Sequence, residues 1–137
     1  MTLVDTNILI DIFGGDPVWA DPSLRALADC GGRGPIAIND VVYAELAAGF
    51  PGQAELDEAI GQSGLRLAPM TKAALYLAGQ TFRRYRVGGG LRPNVLADLF
   101  IGAQASAEGW PLLTRDASRY RRFFPDVALL EVEPIGG

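Results

Sequence analysis

Apolar residues along this chain follow two rhythms: short unbroken runs, and longer stretches with apolar positions three or four apart. The two alternate almost from end to end. Thr2 to Val4 predicts a short buried strand, and Asn7 to Phe13 has helical spacing until Gly14-Gly15 stops it. Asp21-Pro22 places an N-cap residue before a proline at the first helical position, predicting a helix to about Cys30 that ends at Gly31-Gly32. "PIAIN" reads as a second strand. Asn39 or Asp40 then caps "VVYAELAAGF", and Pro51 begins another helix ending near Gly61. "LRLAPM" is a third strand. Thr71 caps a long helical pattern through about Tyr85, a flexible loop "VGGGLRPN" follows, and a further helix spans Val95 to about Glu108. "WPLLT" predicts a fourth strand, Ala117 to Phe123 a turn of helix, and "VALLEVE" a fifth strand before the glycine tail.

Short, largely apolar strands alternating with helices imply a parallel sheet covered on both faces. The expected fold is therefore α/β, a three-layer α/β/α sandwich around a mostly parallel sheet of about five strands. With 137 residues and 49% hydrophobic content, one domain over 1–137 can build its core without disulfides or structural metal. Cys30 is alone, so no internal disulfide forms. The N-terminus lacks the pattern of a signal peptide and no apolar run approaches the length of a bilayer span, so a cytoplasmic protein with no membrane role is expected.

The net charge of −4 hides a division. Residues 1–65 hold ten acids and two arginines, a balance of −8, whereas residues 66–137 hold six acids and ten basic residues, a balance of +4. Arginines cluster at Arg83, Arg84, Arg86 and Arg92, and again at Arg115, Arg119, Arg121 and Arg122. Their planar donor forks suit phosphate, and a solvated helix face explains them equally well.

There is no histidine. That excludes Ser-His-Asp and Cys-His catalysis, and the common zinc sites with them. Hydrolytic chemistry here must rest on carboxylates, for which Mg²⁺ or Mn²⁺ are the natural cofactors. Ligands of doubly wound sheets bind beyond the carboxyl ends of the strands, where strand order reverses. Asp5 ends the first strand and Asp116 lies just past the fourth; each is either a site carboxylate or a helix cap. Glu45, in the helix after the second strand, reads equally as a surface acid. Asp98 is the only ionisable residue of "VLADLFIGAQA", so its carboxylate needs a cavity, a cation or a helix dipole.

"VDTNILID", a mid-chain glutamate in "VYAELAAGF", "NVLADLFIGAQASAEGWPLLTRD" and "RYRRFFPDVALLEVEP" together resemble the PIN domain family, specifically the VapC-type toxins of bacterial toxin-antitoxin modules. The resemblance covers essentially the whole chain. It implies a metal-dependent endoribonuclease with Mg²⁺ or Mn²⁺ held by Asp5, Glu45, Asp98 and Asp116, and with Thr6, Asn7 and Thr114 as polar supports. It also implies RNA as substrate, a small cognate antitoxin and a homodimer. Four carboxylates within about 4 to 6 Å repel by a few kcal/mol per pair at an effective dielectric of about 20, and divalent metal relieves that conflict. Arg115 and Arg119, flanking Asp116, are the candidate phosphate contacts. A haloacid dehalogenase would need a second aspartate where Asn7 stands, and a receiver domain an adjacent acidic pair after the first strand. Both fit poorly. The remaining alternatives are an inactive PIN-like interaction module and a PIN nuclease outside any toxin-antitoxin module.

Overall fold

Five three-residue strands, β1 (Thr2–Val4), β2 (Ile36–Ile38), β3 (Leu65–Leu67), β4 (Leu112–Thr114) and β5 (Leu129–Glu131), form one sheet in the order β3-β2-β1-β4-β5. Every pairing is parallel, with Leu3 opposite Ala37 on one side and Leu112 on the other. The structure is a computed structural model and describes residues 1–87 and 95–134. The loop expected at "VGGGLRPN" falls, beyond Val87, outside the described residues, as does the glycine tail.

The helices are α1 (Thr6–Gly14), α2 (Ala20–Arg33), α3 (Asp40–Ala47), α4 (Gln53–Gln62), α5 (Lys72–Val87), α6 (Val95–Glu108) and α7 (Ser118–Arg121). The chain steps from β1 outward to β3, then crosses to β4 and β5 on the opposite side. Right-handed crossovers consequently put α1 to α4 on one face and α5 to α7 on the other, the expected α/β/α sandwich. Leu3, Val4, Ile38, Leu112 and Leu113 are buried between the layers against Ile8 and Leu9 of α1 and Leu99 and Ile101 of α6. Among the described residues no helix is long and apolar enough to cross a membrane.

Several boundaries differ from the sequence reading for local reasons. Helix α2 starts at Ala20 and has no cap from Asp21, which lies inside its first turn; Asp16 Oδ1 instead accepts from the Val18 and Trp19 amides at 2.9 and 2.8 Å. It also runs through Gly31-Gly32 to Arg33. Glycine stops a helix by turning left-handed, and among the described glycines only Gly15, Gly64 and Gly109 have positive φ. Gly15 does so at the end of α1, where its amide meets the Asp11 and Ile12 carbonyls. Helix α3 ends at Ala47 and α4 begins at Gln53, two residues after Pro51. Asn39 is the cap of α3, its Oδ1 accepting from the Val42 amide at 2.9 Å, and Thr71 Oγ1 accepts from Ala74 at 3.1 Å.

Candidate active site

Strand order reverses around β1, so the gap beyond the ends of β1 and β4 is the switch point of the sheet. Asp5 follows β1 directly, with extended backbone, as the N-cap of α1. It is 3% exposed, and three donors converge on it: the Thr6 amide on Oδ1 at 2.7 Å, and the hydroxyls of Thr114 and Tyr120 on Oδ2, each at 2.8 Å. The cap reading holds, and it leaves the second oxygen free for other partners. One oxygen caps the helix while the other faces the cluster. Burial raises the Asp5 pKa, and the bonds from Thr114, Tyr120 and Thr6 oppose that rise.

The other three acids join this network. Thr114 Oγ1, at the end of β4, accepts from the Asp116 amide at 3.0 Å and from Asn7 Nδ2 at 3.5 Å, while Asn7 Oδ1 accepts from the Arg115 amide at 3.3 Å. Thr6 Oγ1 donates to Glu45 Oε1 at 2.6 Å, tying α3 to the start of α1. Asp98, in the first turn of α6, lies 3.5 Å from the Tyr120 hydroxyl. Asp5, Glu45, Asp98 and Asp116 thus belong to one network, cross-braced by Thr6, Asn7 and Thr114.

The electrostatics of the cluster are strained. Burial pushes the Asp98 carboxyl up to about 6; nearby Arg119 opposes this, and the charges of Asp5 and Glu45 add to it. Arg119 Nε stands 3.4 Å from Asp98 Oδ2 and 3.5 Å from Asp116 Oδ2, a cation spanning two of the acids. Among the described residues no group of three or more acids or cysteines is arranged as a ready metal cage. The donor set nevertheless suits a hard divalent ion: it offers oxygen alone, carries mutual carboxylate repulsion and already draws in a positive charge. Asp5, Asp98, Asp116 and Glu45 are the residues that would hold it.

Two participants were missed by sequence reasoning. Tyr120 is fully buried, and burial beside Asp5 and Asp98 pushes its phenol well above the usual range, keeping it a donor. Its signal was the apolar i, i+4 pair Tyr120 and Phe124 inside an arginine-rich stretch. Asp11, 2% exposed on α1, pairs with Arg115 Nε at 3.1 Å and accepts from Ser23 Oγ at 3.4 Å. The Arg115 guanidinium also lies over the Trp19 ring, 4.8 Å from its centroid. Arg115 is thereby fastened to α1 and to Trp19 just before α2, whereas Arg119 lies beside Asp98 and Asp116.

Fold and site together define a doubly wound parallel α/β protein with an acidic centre at its switch point. The PIN domain family model matches residues 2–127, and the chain belongs to that family. Its fold is similar to VapBC2 from Rickettsia felis bound to a DNA fragment from their promoter, at 23% identity and a TM-score of 0.75 over 96% of this chain and 98% of that one. It is similar also to VapBC-1 from nontypeable Haemophilus influenzae (19% identity, TM-score 0.71, 95% and 96% covered). A toxin-antitoxin complex from Klebsiella pneumoniae aligns at 23% identity and a TM-score of 0.68, over 96% of this chain and all (100%) of that chain. A search of curated proteins gives no match.

Proposed function

We propose that the chain is a metal-dependent endoribonuclease, the cytoplasmic toxin of a toxin-antitoxin module held in check by a cognate antitoxin. One observation carries this reading: the four acids of the family resemblance share one network at the switch point, with Asp98 under carboxylate repulsion. Bound Mg²⁺ or Mn²⁺ would activate water and stabilise charge on a phosphodiester. Asp5, with its rotamer locked by three donors, and Asp98, fixed on the buried α6, are the principal ligands. Asp116 is a third, held by the Ser118 hydroxyl on Oδ1 at 2.8 Å. Glu45 serves as ligand or base, and Thr6 aims it. Arg119 and, within the limits of its clasp, Arg115 offer positive charge to the flanking phosphates.

The fold shared with toxin-antitoxin proteins supports the module assignment. So does an apolar groove of about 550 Å³ beside Glu45, lined by Ile10, Phe13, Leu46, Phe50 and Pro51, which would take the apolar face of a small antitoxin. For the expected homodimer, α5 offers the exposed Leu75 and Tyr76, while Leu77 and Phe82 pack on the core.

Cleavage of structured RNA by the purified chain, with Mg²⁺ and then with EDTA, tests the activity beside Asp5→Asn and Asp98→Asn. Metal-dependent cutting lost in both variants is expected. Cutting that survives both would overturn the assignment, and no cutting by the wild type would favour an inactive interaction module.

A further inference from the structure

Arg119 stands apart from the other arginines of its cluster. Arg115 is held by a buried aspartate and a tryptophan face, Arg121 reaches Glu131 at 3.8 Å, and Arg122 lies over Phe123. Arg119 is directed at two of the acids that the function needs.

We propose that Arg119 is a built-in counterion, which bridges Asp98 and Asp116 and is displaced from both when a divalent cation binds. The inference rests on the metal reading above and concerns what fills the cluster when metal is lacking. Geometry favours a placeholder over a permanent brace. Arg119 Nε lies within ion-pair reach of both carboxylates, and 3.4 and 3.5 Å are long beside the roughly 2.7 to 2.9 Å of a committed charged hydrogen bond. The side chain is 41% exposed, so a way out into solvent is open. Asp116 is half-exposed and three residues away on the turn leading into α7, so the arm is short and local. A doubly charged ion outbids one guanidinium for the same oxygens. Release then leaves the guanidinium at the rim of the site, free to meet an RNA phosphate.

Calorimetric titration of Mn²⁺ into metal-free protein, with thermal melts in EDTA, tests this in wild type, Arg119→Gln, Arg119→Lys, Arg122→Gln and Asp98→Asn. Arg119→Gln is expected to bind Mn²⁺ about three- to tenfold tighter than wild type while melting lower in EDTA. Arg119→Lys keeps a charge and should fall between the two. Arg122→Gln removes a charge away from the carboxylates and should leave Mn²⁺ affinity unchanged. Equal or weaker Mn²⁺ binding by Arg119→Gln overturns the counterion, and if wild type still binds in an Asp98-dependent way the metal site stands without it. Absence of binding in wild type and Arg119→Gln alike would remove both.

Discussion

The hydroxyl of Tyr120 donates to Asp5 Oδ2 at 2.8 Å and lies 3.5 Å from Asp98 Oδ1, so one buried phenol joins the end of β1 to the start of α6. Tyr120→Phe keeps the ring in the core and removes that link. Loss of about 1 to 2 kcal/mol of stability is expected in chemical denaturation, because Asp5 keeps two of its donors. Metal affinity should fall as well, since the carboxylates lose their spacing. Titration with Mn²⁺ would expose an error if affinity stays at the wild-type value.

Asp5→Asn separates the observed cap from the proposed metal-ligand role of that residue. Its side-chain oxygen can still accept from the Thr6 amide, and a buried charge with a raised pKa disappears. Because the new amide nitrogen cannot accept from Thr114 and Tyr120, the relief of the buried charge and the loss of those two bonds offset each other, and the variant should melt within a few degrees of wild type in EDTA yet neither bind Mn²⁺ nor cleave RNA. A marked drop in melting temperature would mean that the negative charge itself holds α1 in place.

The Asp98 carboxyl, at about 6, releases its proton well above its ordinary value of 3.8. Between those values the folded state binds more protons than the unfolded state. Metal-free stability therefore rises as pH falls from about 6 towards 4, and the advantage is lost as pH climbs through 6. Asp98→Asn should flatten that part of the curve. Melting curves across this window in EDTA decide it, and a wild-type slope of opposite sign would refute it.

Arg115→Ala leaves the Asp11 carboxylate buried without its cation. A cost of about 1 to 3 kcal/mol is expected, and Asp11→Asn in the same chain should recover part of it in a double-mutant cycle. An arginine kept only for phosphate would leave stability untouched.

Gly102 lies on the buried face of α6, where a Cβ would run into the Phe124 ring. Phe124 is itself 2% exposed and cannot swing clear. Gly102→Ala should cost about 1 to 3 kcal/mol by overpacking, despite the better helix propensity of alanine. Urea denaturation would contradict this if the variant proved as stable as wild type.

Much of this architecture was legible because the strands are mostly apolar and the caps of α3 and α5 carry side chains that announce themselves. Asp5 and Asp98 stood out for related reasons, one at a strand end and the other alone on an apolar helix. What escaped was set by tertiary contact. Tyr120 sits among arginines and reads as a surface residue until Phe124 is counted with it. Asp16 braces the turn that leads into α2, upstream of the more obvious Asp21-Pro22, and Gly31-Gly32 looks like a stop although its backbone stays helical. Where Arg115 and Arg119 are directed depends on which acids the fold brings beside them, and no local spacing encodes that.

The raised pKa values of Asp5 and Asp98 also bear on the protein's history. Both carboxylates oppose folding when charged, so their removal tends to firm the chain. On the proposed function, a copy drifting free of selection would lose these two acids first and keep its shape. This one keeps Asp5 and Asp98 buried with their pKa values raised.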